Sequence, residues 1–423
     1  AAGNTSTGSV TVTVVNALSS ITVTPSNPSI NVGQTQQFTA TGTFSDGSSS
    51  VLTAGTWVTK APIPSVSYAL GGAFVGGKFY AISGFATARL GIYDPANNTW
   101  TTGAPLPADT GYNLRQYFGT AVHDGKIYVV GGDTGGSGDR ATLYRYDPAL
   151  NSWAALAPMP LGPRYGLGAA AINGKIYAVG GYNLGSATYL NRLEVYDPAT
   201  NTWATKAAMP IAHSFALVGA INGKLLVAGG NNASGPLTAL HVYDPATDSW
   251  SPGAPMPFTG NGEGVALGGK LFSVGAGPSP ERRVFAYDAA TDSWSTNFDP
   301  MPTGRHNLGV AADEVNNKIY AVGGWNGGYV SALEVYTPSD VTWSSGTTSV
   351  ATINASGLST GVSPGASTIT ATSGGISGTA VLTVVSPDAI APTTVASASP
   401  GPNGAGWNNS NVTVTLTATD NAG

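Results

Sequence analysis

The sequence predicts an all-β protein, and three observations carry that reading. Gly and Pro are abundant while charges are scarce, sustained helical periodicity is absent, and one strand-and-turn unit recurs along the middle of the chain. Charged residues make up 9% of the 423, against roughly 25% in an ordinary soluble protein. Gly contributes 58 residues and Pro 28, so Gly stands at about double its usual ~7% share. Many short strands joined by tight turns fit that composition; long helices do not. Formal charge is −5, from 17 Lys plus Arg against 22 Asp plus Glu. No basic run offers the clustered cations that a phosphate backbone requires, so a nucleic-acid partner is not expected. Apolar stretches are broken by Gly, Asn or Lys well short of the ~20 residues of a membrane-spanning helix. The opening AAGNTSTGS lacks the basic start and apolar centre of a signal peptide; if one exists, it lies upstream or has been removed. With no Cys, disulfides, thiolate metal sites and cysteine nucleophiles are all excluded. Low charge together with Thr, Ser, Asn and Gly on β-rich segments suggests a secreted or cell-surface bacterial protein.

The recurring unit is an apolar strand, a Gly turn, a second apolar strand ending in paired small residues, a loop, a third strand ending in Tyr-Asp-Pro, a turn and a Trp. Second strands read GKFYAISG, GKIYVVGG, GKIYAVGG, GKLLVAGG, GKLFSVGA and NKIYAVGG. Their small pairs begin at Ser83, Gly131, Gly180, Gly229, Gly275 and Gly323, at spacings of 48, 49, 49, 46 and 48. A Tyr seven residues before a Trp repeats as Tyr93 and Trp100, Tyr146 and Trp153, Tyr196 and Trp203, Tyr243 and Trp250, Tyr287 and Trp294. The Asp-Pro-Ala-Thr-Asn stretch between them is turn chemistry. Each unit is therefore expected to be a four-stranded antiparallel sheet. Paired glycines (Gly131 and Gly132, Gly180 and Gly181, Gly229 and Gly230, Gly323 and Gly324) mark where sheets crowd and no side chain fits. Tyr and Trp supply apolar area between neighbours.

A period near 50 residues carrying Gly-Gly, then Tyr and Trp, resembles the kelch repeat, over residues 55–338. Ser83 and Ala276 each replace one Gly of a pair. The resemblance implies a six-bladed β-propeller around a central channel. GTWVTKAPIP, holding Trp57, matches the tail of the unit in NTWATKAAMP, yet no Gly-Gly strand precedes it. The sixth copy conversely ends after its third strand, LEVYTP. Trp57 is expected to complete the sixth blade beside Tyr336.

The flanks account for the break. Ile21 to Thr53 resembles the first half of a bacterial Ig-like domain of group 2, and Val341 to Val385 its second half. Residues 18–54 and 339–386 then make one sandwich with the propeller inserted in it. Trp343, in VTWSS, goes with the Ig-like half. Residues 1–17 read as the last strand of a preceding Ig-like domain and 387–423 as the start of a further one. The expected fold class is all-β, a six-bladed kelch β-propeller inserted in an Ig-like β-sandwich.

No catalytic constellation is visible. There is no Gly-x-Ser-x-Gly elbow, P-loop or His-Glu-x-x-His. The pairs Asp244 and Asp248, or Asp288 and Asp292, belong to the repeated turns. His123, His213, His241 and His306 fall at no spacing that builds a metal site locally, and neither metal nor cofactor is expected. Some kelch propellers resemble galactose oxidase, whose chemistry needs a Cys–Tyr crosslink that a chain without Cys cannot form. The copies differ most in the loops after each Gly-Gly and in the links between blades, which should emerge on one face. There lie Tyr68, Tyr112, Arg115, Arg164, Tyr165, Tyr182, His213, Asn261, Glu263, Arg305, His306, Trp325 and Tyr329. Two readings stand: these side chains meet a polar ligand or sugar, or the arginines hydrogen-bond to blade carbonyls lining the channel. The first makes the protein an extracellular adhesion or ligand-binding module with a surface glycan or protein as partner. The alternatives are a structural subunit of a filament or surface layer, with further copies of itself as partners, and a carbohydrate-active enzyme using Glu263.

Overall fold

The computed structural model describes residues 18–52, 55–85, 89–108, 114–135, 138–259, 263–276, 282–296, 298–338, 341–354, 357–373, 375–387, 393–408 and 410–419. Every regular element among them is a β-strand, and no helix is long and apolar enough to cross a membrane. The chain divides into two units, Thr53–Thr342 and a second made of Ala1–Leu52 with Trp343–Gly423.

The first unit holds six four-stranded antiparallel sheets. Blade 1 runs outward through Gly71–Val75, Lys78–Ile82, Leu90–Asp94 and Thr99–Gly103; blades 2, 3, 4 and 5 repeat this from Gly119–His123, Gly168–Ile172, Leu217–Ile221 and Glu263–Leu267. Blade 6 takes Gly309–Asp313, Lys318–Val322 and Leu333–Thr337 from the end of the unit and Thr56–Lys60 from its beginning. The innermost strands neighbour one another in sequence order, and Gly309–Asp313 returns to Gly71–Val75, closing the ring. Little side chain fits between them: a Cβ on Gly72 would lie 2.3 Å from the Val310 carbonyl oxygen. Second strands such as Lys175–Val179 are buried on both faces beyond their first residue, as strands between stacked sheets must be.

The Tyr–Trp spacing has a mechanical meaning. Each blade's Trp indole donates to a carbonyl of the link entering that blade: Trp100 to Ala61 (2.8 Å), Trp153 to Ala104 (2.9 Å), Trp203 to Ala157 (2.7 Å), Trp250 to Ala207 and Trp294 to Ala254 (both 2.8 Å). The turn residue two before the Trp holds the same link by its N–H, as Asn98 Oδ1 does for Ala61 at 2.9 Å and Asp248 Oδ1 for Ala207 at 2.9 Å. The same oxygen accepts the Tyr hydroxyl, from Tyr93 at 2.8 Å and Tyr243 at 2.7 Å. Those Asn and Asp residues adopt φ between 47° and 55°, the left-handed region that Asn and Asp tolerate best among side-chain-bearing residues. One short motif thus fixes a turn and fastens consecutive blades.

Closure follows the expected pattern. Tyr336 pairs with Trp57 across the last two strands of blade 6. Their rings stack at 4.9 Å, and the Trp57 indole donates to Asp299 O at 3.0 Å. Gly55 is needed here, since a Cβ would lie 2.1 Å from the Tyr336 hydroxyl oxygen.

In the second unit both flanks share sheets. Ser29–Asn31 runs parallel to Ile376–Val385, which pairs with Gly365–Ser373, and Thr35–Gln37 pairs with Leu358–Gly361. Ile376–Val385 alternates exposed and buried residues along most of its length, the signature of a strand with one face on a core. Ile21, Val23, Phe38, Ile369, Ala380, Leu382 and Val384 are buried. Trp343 lies in this unit, on the strand Thr342–Ser345, with its ring against Gly357. Thr393–Ser399 and Thr413–Thr419 form a separate hairpin, and residues 1–17 lie outside the described residues.

Candidate functional site

The mouth of the channel is built by the backbone. Where the links into blades 1, 2, 3, 4 and 6 turn into the innermost strand stands one residue with positive φ: Ala69 (57°), Tyr117 (54°), Gly166 (61°), Phe215 (56°) and Asn307 (51°). Their peptides are joined in a belt, Ala69 N–H donating to Asn307 O (2.7 Å), Tyr117 to Ala69 (3.3 Å), Gly166 to Tyr117 (2.8 Å) and Phe215 to Gly166 (2.7 Å). A bulky aromatic at positive φ costs of order 1–3 kcal/mol and persists only where its surroundings over-determine it, most often at functional sites. Tyr117, Phe215 and Asn307 line a pocket of about 70 Å³ with Leu167 and Glu263. Beneath it the channel passes between Gly71, Gly119 and Gly168, with Glu263 again in the wall.

Around this pocket the aromatic rings form one continuous chain. Tyr68 meets Phe85 (5.1 Å), Trp325 (5.6 Å), Tyr329 (5.9 Å) and Tyr117 (6.5 Å). Tyr117 meets Phe215 (5.2 Å) and Tyr165 (6.1 Å); Tyr165 meets Tyr182 (5.7 Å), which meets Tyr189 (4.8 Å). Backbone bridges hold the blade tips against the links, Tyr165 with Tyr182 and His306 with Trp325. The structure brings together Tyr68, Tyr165, Tyr182, His306, Trp325 and Tyr329 of the loop and link residues, and adds Phe85, Tyr117, Tyr189, Phe215 and Asn307. Tyr117, Phe215 and Asn307 stand at one repeat offset, two residues before the innermost strand, which is the signal that could have found them. Tyr112 and Asn261 lie outside the described residues.

Burial pushes the Glu263 carboxyl up to about 7, so near neutrality it can donate or accept. Burial, with Tyr68 and Glu263 close by, raises the Tyr117 hydroxyl, which stays a protonated donor. Among the described residues no three His, Asp or Glu side chains converge as metal ligands.

Four rim candidates are corrected. Arg115, Arg164, Arg305 and His213 have side chains buried within their blades rather than displayed on the rim. Arg164 pairs with Glu194 and donates to Ala178 O at 3.3 Å. Arg305 pairs with Glu334 at 2.6 Å and donates to Ala321 O at 3.0 Å. Arg115 donates to Gly131 O at 2.9 Å and to Thr142 Oγ1 at 2.8 Å, with its guanidinium 5.6 Å from the Tyr144 ring centre. The reason is geometric: the carbonyls of Arg115, Arg164 and His213 accept from the second small residue of the preceding blade, as Arg164 O does from Gly132 N (2.9 Å) and His213 O from Gly181 N (2.8 Å). With the backbone so fixed, each side chain is held inside its own blade.

In blade 4 this position carries a pair of histidines. His213 Nδ1 lies 2.7 Å from Gly229 O and its ring is 5.2 Å from that of His241. Burial holds both imidazoles below the ordinary value; at His213 the Gly229 carbonyl opposes this and His241 adds to it. The unfolded chain takes up these protons near pH 6.5, so the pair contributes stability that is present above about pH 6.5 and lost as the pH falls below it. Glu263 acts oppositely, its contribution being lost as the pH rises through about 7. The urea midpoint of native protein is expected to fall more between pH 7 and 5 than that of His241→Phe, which copies Phe285 of blade 5. An equal fall would show that His241 is not responsible.

A ring of kelch-type sheets with a variable, aromatic mouth, in one chain with an Ig-like sandwich, defines a repeat-propeller binding module. Comparison with known proteins agrees. The KLHDC2/KLHL20/DRC7 Kelch-repeats domain matches residues 68–260 and 120–296, the Kelch motif matches 306–349, and the Bacterial Ig-like domain (group 2) matches 17–62 and 330–384. The chain belongs to the kelch-repeat family and carries a bacterial Ig-like domain of group 2. It is similar to the F-box protein AFR of Arabidopsis thaliana (29% identity over 120 residues, 26% of this chain and 31% of that protein). It is also similar to a putative F-box/kelch-repeat protein of the same organism (34% over 110 residues, 24% of this chain and 30% of that protein). The aligned part thus spans under a third of these relatives. The solved structure of YjhT shares the fold, with a TM-score of 0.54 and 22% identity over 65% of this chain and 96% of that one.

Proposed function

We propose that the propeller is the ligand-binding head of an extracellular bacterial adhesion module, that its ligand is a carbohydrate, and that the aromatic mouth takes it up without turnover. The observation that supports this best is the unbroken chain of rings from Phe85 and Tyr329 through Tyr68, Tyr117 and Tyr165 to Tyr189. Ring faces stack on the apolar faces of sugars, while the Tyr117 hydroxyl, the Asn307 amide and Glu263 supply the few polar groups that fix orientation. An Ig-like spacer and the low charge of a Cys-free chain suit display outside the cell. The test is a glycan array followed by calorimetry on the hits. Trp325→Ala and Tyr68→Ala are each expected to weaken binding about 30-fold, as for aromatic residues at the centre of a contact. Unchanged affinity in the double variant would remove the mouth as the site.

A further inference from the structure

One register position sets blade 5 apart. The residue that opens each innermost strand pairs with the residue just before the small pair of the second strand: Gly71 with Ile82, Gly119 with Val130, Gly168 with Val179, Leu217 with Ala228, Glu263 with Val274 and Gly309 with Val322. Four of the six are Gly, and the place is crowded: a Cβ on Gly168 would lie 2.1 Å from the Val218 side chain. Blade 5 alone puts a charge there, in the wall both of the pocket at the aromatic mouth and of the channel beneath it. Neither lining contains Lys, Arg or His. The arginines of the links are committed to carbonyls and carboxylates inside blades 2, 3 and 6. Among the described residues none hydrogen-bonds or ion-pairs with the Glu263 carboxylate, and burial is the one cause that pushes it up to about 7.

An unpaired carboxylate walled by rings suits a cation. Tyr117 and Phe215 stand perpendicular at 5.2 Å in the same lining, and the negative face of an aromatic ring attracts an ammonium group as the carboxylate does. A buried charge without a partner costs free energy that a bound counter-charge offsets. Size decides how much of a ligand enters. A pocket of about 70 Å³, at ~10–15 Å³ per water, holds about five to seven waters, which is too little for a whole sugar ring with its hydroxyls. A sugar seated among Tyr68, Tyr165 and Trp325 therefore sends one substituent inward. At that place a charged amine gains more than a hydroxyl, and a carboxylate is repelled. We propose that the sugar taken by the mouth is an amino sugar with a free amine, whose ammonium group enters the pocket and pairs with Glu263. This rests on the reading of the mouth as a carbohydrate site and names the class of sugar.

The test is a saturation-transfer NMR titration of the full chain with glucosamine and galactosamine, each against its hydroxyl parent, glucose or galactose, and its N-acetyl form. At pH 7 the tighter amino sugar is expected to bind at least about tenfold better than its parent, the value of one charge-assisted hydrogen bond. N-acetylation, which removes the charge, is expected to remove the preference. Between pH 6 and pH 7 the affinity for the amino sugar is expected to rise about fivefold, more steeply than for the parent, as the Glu263 carboxyl ionises while the amine keeps its proton. Tyr117, the other titratable side chain of the lining, stays protonated over that range. Glu263→Gln is expected to abolish both the preference and the steeper rise. An amino sugar bound no more tightly than its parent, or a preference that survives in Glu263→Gln, would overturn this inference and leave the carbohydrate reading standing. Binding of none of the six sugars would overturn both.

Discussion

Glu334→Ala is expected to destabilise the propeller by about 3–5 kcal/mol, the range for removing one partner of a buried ion pair. Both side chains are essentially inaccessible, 0% for Arg305 and 1% for Glu334. Burial already pulls the Arg305 pKa below the ordinary arginine value, and Glu334 opposes that pull by charge and hydrogen bond. Without the carboxylate the guanidinium keeps two carbonyl partners, Thr303 O at 2.9 Å and Ala321 O at 3.0 Å, but no counter-charge. Removing both charges together is a different matter, because the desolvation penalty disappears with them. Arg305→Met with Glu334→Leu is therefore expected to recover most of the loss. Urea unfolding of the wild type, the single and the double variant measures this. A double variant as unstable as the single one would mean that the pair's shape, rather than its charge, is what blade 6 requires.

Trp57→Ala is expected to cost about 2–4 kcal/mol, around and below the lower end of the ~3–5 kcal/mol range for deleting a large buried aromatic, since Trp57 is only partly buried. The loss combines the stack on Tyr336 with the bond to Asp299 O. Unlike the equivalent Trp153→Ala, it acts on the one joint where the strands of a blade come from opposite ends of the propeller sequence. Loss of that joint frees Thr56–Lys60 to detach, so proteolysis should begin near residue 60 in Trp57→Ala and not in Trp153→Ala. A disulfide between Thr56→Cys and Thr337→Cys, which face each other in the register, is expected to restore stability by closing the ring covalently. If the disulfide forms and restores nothing, closure by this strand is not what holds the ring.

The sequence by itself determined the architecture of this protein. A period of 46 to 49 residues and an alternation of strand and turn are local properties, and each copy states them independently. The closure was legible for the same reason, because Trp57 is the tail of a unit whose head is missing and Leu333–Thr337 the end of a unit whose tail is missing. The Ig-like halves likewise needed only their own strand patterns to be joined across the insertion. Only the tertiary structure decided what the side chains of the links do. Arg115, Arg164, Arg305 and His213 have the composition of a polar rim, yet their side chains are buried; backbone bonds from the preceding blade fix Arg115, Arg164 and His213, and blade carbonyls and carboxylates hold the arginines. Left-handed φ values set Tyr117, Phe215 and Asn307 at the mouth. Strand faces follow from a period of two, whereas the direction of a link side chain follows from hydrogen bonds to the neighbouring blade, which no single repeat contains.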